Sequence, residues 1–212
     1  MIVIGIVGLI SSGKTTVCET ISQNGFKVIN LDILSHQIYE SGSSAYKEII
    51  KTWGKDVLDD QKQISRTSLA EKVFVKGSNE ISKLEKIVWP HLINMLEEKL
   101  IKYHNEEAIF VEGAKILNSD FVKYCDKIWC VISSIENIKN RIFLSSQDHN
   151  NLLERLKSQI NEYTYLTGID EFIENNSTRQ DLNNNVKLLL EKTRKEYFNC
   201  LLYTSPSPRD SC

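Results

Sequence analysis

Gly8-Leu-Ile-Ser-Ser-Gly-Lys-Thr15 fits the pattern G-x-x-x-x-G-K-[ST] without a gap. Each fixed position suits one task, holding a polyphosphate. The glycines let backbone N–H groups turn inward around phosphate oxygens. A helix opening after Gly13 would add the positive end of its dipole. Lys14 would reach the β- and γ-phosphates, and the Thr15 hydroxyl would ligate Mg²⁺. Ser11, Ser12, Gly13, Lys14, Thr15 and Thr16 are therefore the candidate nucleotide-binding residues. The competing reading is a glycine turn followed by a solvent lysine. Context decides between them, because the motif requires a buried strand before it and a helix after it.

The elements that must position these residues follow from periodicity. Residues 2–8 are β-branched and apolar and read as a buried strand, and 13–23 have helical character with Asn24-Gly25 as a stop. Further strands are expected at 27–31, 108–112 and 127–133, with a weaker one at 171–174. Strands alternating with helices predict an α/β fold of the P-loop type: a five-stranded parallel sheet flanked by helices. The gap between the second and third strands exceeds what a crossover helix needs, so it predicts a helical lobe over 33–103. Within it 44–53, 66–75 and 78–103 are helical in period. Pro90 is expected to start a new helix or kink the old one near Val88-Trp89. A polar helical stretch over about 147–163, carrying Arg155 and Lys157, reads as a lid. The core then comprises 1–32, 104–146 and 164–199, in a single domain over 1–199.

Composition sets the outer bounds. The 212 residues are 41% hydrophobic and 25% charged, as in ordinary globular chains, which excludes a disordered or fibrous chain. The net charge of −2 speaks against a nucleic-acid partner. No apolar run has the length of a membrane span, and the apolar N-terminus lacks the basic flank of a signal peptide. The five cysteines have no CxxC pair or metal spacing and read as free thiols of a reducing compartment, the cytoplasm. Residues 200–212, which include Ser205-Pro-Ser-Pro208, break from the Ile-, Lys- and Asn-rich chain before them. They resemble a translated sequencing adapter, so 200–212 is expected to be a non-native tail. No Asn-Lys-x-Asp box is present, which argues against a GTPase.

Several separate segments, in order and at kept spacing, resemble the dephospho-coenzyme A kinase family. Ile4-Gly-Ile-Val-Gly-Leu-Ile-Ser-Ser-Gly-Lys-Thr-Thr16 is similar to the family's opening strand and loop. Gly25-Phe-Lys-Val-Ile-Asn-Leu-Asp32 is similar to its G-x-x-V-I-D-A-D segment. Gly42-Ser-Ser-Ala-Tyr46, Ile64-Ser-Arg-Thr-Ser-Leu-Ala-Glu-Lys-Val-Phe74, Val111-Glu-Gly-Ala114 and Asp170-Glu-Phe-Ile-Glu-Asn175 resemble later family segments. The resemblance implies transfer of a phosphoryl group from ATP to the ribose 3′-hydroxyl of dephospho-coenzyme A, with Mg²⁺. It implies a catalytic set of Lys14, Asp32 and Arg141. Asp32 would orient the acceptor hydroxyl and take its proton, its alternative being a helix N-cap. The Arg141 fork would bridge phosphates. Glu112 would hold a Mg²⁺-bound water and Asn175 would contact adenine, while Arg155 and Lys157 are the lid cations. The chain departs from the family at Asn30 (usually aspartate), Trp89 (usually histidine), Ser145-Ser146 (near a usual Arg-Asp) and Tyr165-Leu166 (commonly basic). Two alternatives stay open: a kinase of the same fold for another small acceptor such as a deoxynucleoside monophosphate, and a nucleotide-binding module with weakened catalysis.

Overall fold

The computed structural model describes residues 1–75, 78–145, 149–163 and 167–204. The chain forms two compact units: Met1–Ile29 with Tyr103–Cys212, and Asn30–Lys102.

The first unit is built on a five-stranded sheet of order β2-β3-β1-β4-β5, with β1 Ile2–Val7, β2 Lys27–Asn30, β3 Ala108–Glu112, β4 Lys127–Ile132 and β5 Glu171–Glu174. Central β1 pairs in parallel with β3 and β4, setting Ile2 opposite Ala108 and Ile4 opposite Lys127, and β4 pairs in parallel with β5. A strand buried on both faces reads as an unbroken apolar run, which is why Ile2-Val-Ile-Gly-Ile-Val7 shows no alternation. On one face Ile4, Ile6, Phe110, Trp129 and Val131 meet Val17 and Ile21 of α1 (Lys14–Gln23) and Leu182, Val186 and Leu190 of α8 (Arg179–Thr204). Phe26, Phe110 and Trp129 form an edge-to-face series with centroids 5.5 and 5.2 Å apart. Each such pair contributes about 0.5–1.5 kcal/mol beyond its buried area. Two more helices of this unit, α6 Ile135–Ser145 and α7 His149–Tyr163, follow β4. Helix α8 reaches Thr204, so its last turn includes the first residues of the expected tail; 205–212 lie outside the described residues. Of the expected lid, 147 and 148 also lie outside them, as do Ser146 and Tyr165-Leu166.

The second unit is helical: α2 Leu31–Ile38, α3 Ser44–Trp53, α4 Arg66–Val75 and α5 Ser78–Lys102. Its own core gathers Ile49, Trp53, Val57, Ile64, Leu69 and Val73. Ser43 caps α3 by accepting from the Tyr46 N–H at 3.0 Å, and the Trp53 indole donates to Glu80 at 2.8 Å. Pro90 does not break the chain here: α5 is one helix of 25 residues. Pro90 is exposed, while Val88, Leu92 and Leu96, at a four-residue spacing, are buried on another face and hold both halves. The missing N–H removes a single helical bond, and packing on both sides of it offsets that loss.

Candidate active site

The loop between β1 and α1 is shaped from its own sequence outward. Gly8 has φ 148°, and a Cβ there would lie 2.5 Å from the Val131 carbonyl oxygen. Gly13, the residue before α1, has φ 110°, and a Cβ would be driven into the Asn175 amide nitrogen. Both positions therefore demand glycine for conformation and for space. Ser11 adopts φ 57° without being a glycine, a strained backbone costing on the order of 1 kcal/mol or more. The Lys14 ammonium lies across the loop and donates to the Gly8 and Leu9 carbonyls at 2.9 and 3.0 Å. Thr15 is exposed and Thr16 half-buried in the first turn of α1. The Ser12 hydroxyl is buried and has no hydrogen-bond partner among the described residues.

Three side chains hold the loop from the sheet and from α6 and α7. Arg141, on α6, donates through Nη1 to Ser11 O (3.3 Å), Ser12 O (3.2 Å) and Ser133 Oγ (3.1 Å), and through Nη2 to Asn175 O (2.7 Å). Burial lowers its pKa below the usual arginine value. Asn175, just beyond β5, is buried and donates its amide to Ser12 O at 2.7 Å. Both Arg141 and Asn175 thus grip loop carbonyls. Gln159, on α7, accepts from the Ile10 N–H at 2.7 Å. Asn176 links the ends of β4 and β5, accepting from the Ser134 N–H at 2.8 Å and the Ser133 hydroxyl at 3.2 Å.

Glu112 ends β3 and is buried, 8% exposed. It accepts from the Cys18 thiol of α1, whose pKa is raised first by burial and then by the Glu112 charge. Cys130 is pushed up to about 11 by burial, with the Lys14 charge pulling it back. Arg155 and Lys157 are exposed on α7 either side of buried Leu156. Arg155 stands four residues before Gln159 and shares its face, whereas the two-residue step turns Lys157 away from that face.

Asp32 belongs to the second unit. The strand ends at Asn30, and Asp32 is an exposed residue in the first turn of α2. The N-cap is Asn30, whose Oδ1 accepts from the Ile33 N–H at 2.9 Å. Capping is therefore not the task of Asp32, and among the described residues no side chain bonds its carboxylate.

The sequence model of dephospho-CoA kinase matches residues 2–181. The chain belongs to the dephospho-CoA kinase family. A dephospho-CoA kinase of Fusobacterium nucleatum is 35% identical over 90% of this chain and 98% of its own length. That of Aquifex aeolicus is 29% identical over 91% and 98%. Among solved structures, the dephospho-CoA kinase from Campylobacter jejuni superposes with a TM-score of 0.68 at 23% identity, over 92% of this chain and 98% of that one. A shikimate kinase from Bacteroides thetaiotaomicron gives a TM-score of 0.50 at 15% identity, which places the sheet and loop in the P-loop kinase fold.

Asn30 serves α2 as a cap, a task asparagine performs as well as aspartate. Gln159 and Asn176 are the contributors that motif reading passes over. The signal for Gln159 is a polar side chain within the apolar stripe Leu152, Leu153, Leu156 and Ile160 of α7. Asn176 bonds residues more than 40 positions away, and no local pattern carries that.

Proposed function

We propose that this chain, as a dephospho-CoA kinase, transfers the γ-phosphoryl group of ATP to the ribose 3′-hydroxyl of dephospho-coenzyme A, giving ADP and coenzyme A. The observation that carries the reading is the braced loop. Gly8–Thr15 keeps every fixed position of the phosphate-binding pattern. It is held by Arg141 and Asn175 through its carbonyls, and the N–H groups of Gly13 to Thr15 would serve the ligand.

In the proposed reaction the 3′-oxygen bonds to the γ-phosphorus as the bond to the β-bridging oxygen breaks, and ADP leaves. Asp32 takes the hydroxyl proton; its exposed carboxylate, relieved of capping by Asn30, supports that role. Lys14 neutralises charge on the phosphates. Arg141 is assigned as a positioning residue, since both of its terminal nitrogens hold the loop and its neighbours. Asn175 serves the nucleotide through Ser12, which its amide props. Arg155 and Lys157 are the candidate cations of α7.

The donors Thr15 and Glu112, a hydroxyl and a buried carboxylate at adjoining ends of α1 and β3, are hard oxygen ligands of the kind Mg²⁺ takes. Thr15 would hold Mg²⁺ directly and Glu112 through water. When bound, the ion would supply neutralisation of phosphate charge. Among the described residues no helix is long and apolar enough to cross a membrane. The free thiols Cys18, Cys125 and Cys130 support a cytoplasmic setting.

The test is an ADP-release assay with dephospho-coenzyme A beside a panel of nucleoside and deoxynucleoside monophosphates. Turnover with dephospho-coenzyme A above all others is expected. Preference for a monophosphate would move the chain to another acceptor, and ATP binding without turnover on any acceptor would leave a binding module.

A further inference from the structure

We propose that Gln159 is a positioning residue for the nucleotide, tying helix α7 to the phosphate loop through the Ile10 amide. The proposal rests on the reading that this loop binds ATP. Its basis is a convergence of contacts on four consecutive loop residues, Leu9 to Ser12. The Gln159 carbonyl oxygen accepts from the Ile10 N–H at 2.7 Å. The side chains of Leu9 and Ile10 belong to the same apolar cluster as Ile138 and Ile142 of α6 and Leu156 of α7. The next residue, Ser11, carries the strained φ of 57°. Its carbonyl and that of Ser12 are held by Arg141 at 3.3 and 3.2 Å.

The strained turn is thus gripped from two helices: its N–H side by α7, its C=O side by α6. A left-handed non-glycine residue persists only where its surroundings over-determine it. Gln159 supplies one of those constraints, and it does so from a half-buried position flanked by apolar side chains, where a hydrogen bond is less weakened by water. The residues after this turn, Gly13 to Thr15, are the ones whose amides face the phosphates in the proposed function. Removing the acceptor at Gln159 therefore loosens the entrance of the loop without touching any group that bonds the substrate. It is expected to weaken ATP and to leave the acceptor substrate alone.

Gln159→Leu removes the acceptor and suits the surrounding apolar stripe, and Gln159→Asn keeps the amide but is one methylene too short to reach. Steady-state kinetics, the melting temperature, and amide hydrogen exchange over residues 8–13 with and without ATP are measured for both variants and the unaltered chain. Both variants should raise KM for ATP about tenfold, the worth of one buried hydrogen bond. KM for dephospho-coenzyme A and kcat should change less than twofold, and Ile10 should exchange faster while the α1 amides keep their protection. Unchanged Ile10 exchange, or an unchanged KM for ATP in a chain that does bind ATP, overturns the proposal. So does a parallel loss of kcat, both KM values and melting temperature, which would mark Gln159 as ordinary packing. If the unaltered chain binds no ATP, the loop's function falls instead, and Ile10 exchange still decides whether Gln159 holds the turn.

Discussion

Lys14→Ala removes the cation that lies over the loop carbonyls, and turnover should fall on the order of 10²-fold or more, read as kcat at saturating substrates. Retained turnover would remove this lysine from the reaction. Asp32→Asn asks a different question, because Asn30 already caps α2 and the change therefore costs the helix almost nothing. A proton-accepting role predicts a fall in kcat of roughly 10²–10⁴-fold with an unaltered ATP dissociation constant. Equal loss of both quantities would indicate general damage. Gly13→Ala adds a methyl that meets both a positive φ and the Asn175 amide. Its expected result is lost ATP binding together with a melting temperature lowered by several degrees, measured by titration calorimetry and thermal melts. A variant that binds ATP normally would show that the loop relaxes around the added carbon.

At the scale of elements, helix α6 carries the arginine on which the loop depends. Arg141 serves four acceptors at once, the carbonyls of Ser11, Ser12 and Asn175 and the Ser133 hydroxyl, which a lysine ammonium cannot reach in the same plane. Arg141→Lys keeps the charge and should still weaken ATP binding by about tenfold, the scale of a lost buried hydrogen bond; an unchanged dissociation constant would mean that charge alone suffices. This division of labour explains what the sequence made legible. The strand–loop–helix around Lys14 is local and was readable from residue order, as were the strands 108–112 and 171–174 and the helices 44–53 and 66–75, because burial periodicity and turn residues mark them. The supports of the loop were not. The sequence points to Arg141 and Asn175, yet as contacts to phosphate and adenine. Their engagement with loop carbonyls depends on β4 and β5 being neighbours, a fact of topology that no spacing encodes. Pro90 differs for the opposite reason: local chemistry predicts a new helix or a kink near Val88-Trp89, and packing on both sides of it carries a single helix through the proline.

For the whole molecule, all three cysteines outside the expected tail lie in the first unit, and burial keeps their thiols protonated: Cys125 up to about 12 and Cys130 to about 11, with Cys18 higher still. Only thiolate reacts with iodoacetamide, so at pH 8 the native protein should label at these three sites far more slowly than the urea-unfolded chain. Peptide mapping checks this, and rapid native labelling would mean the first unit opens readily. The sheet order adds a consequence for synthesis. Strand β1 is synthesised before both of its partners, β3 and β4, and Ile2 waits about a hundred residues for Ala108. At the usual elongation rate that wait is on the order of 5–20 s. Throughout it an apolar, β-branched strand has both edges open, while the contiguous segment Asn30–Lys102 already has its complete core. The nascent chain is therefore most prone to stick to its neighbours before residue 112 emerges, and a dependence on holding chaperones during translation follows from strand order alone.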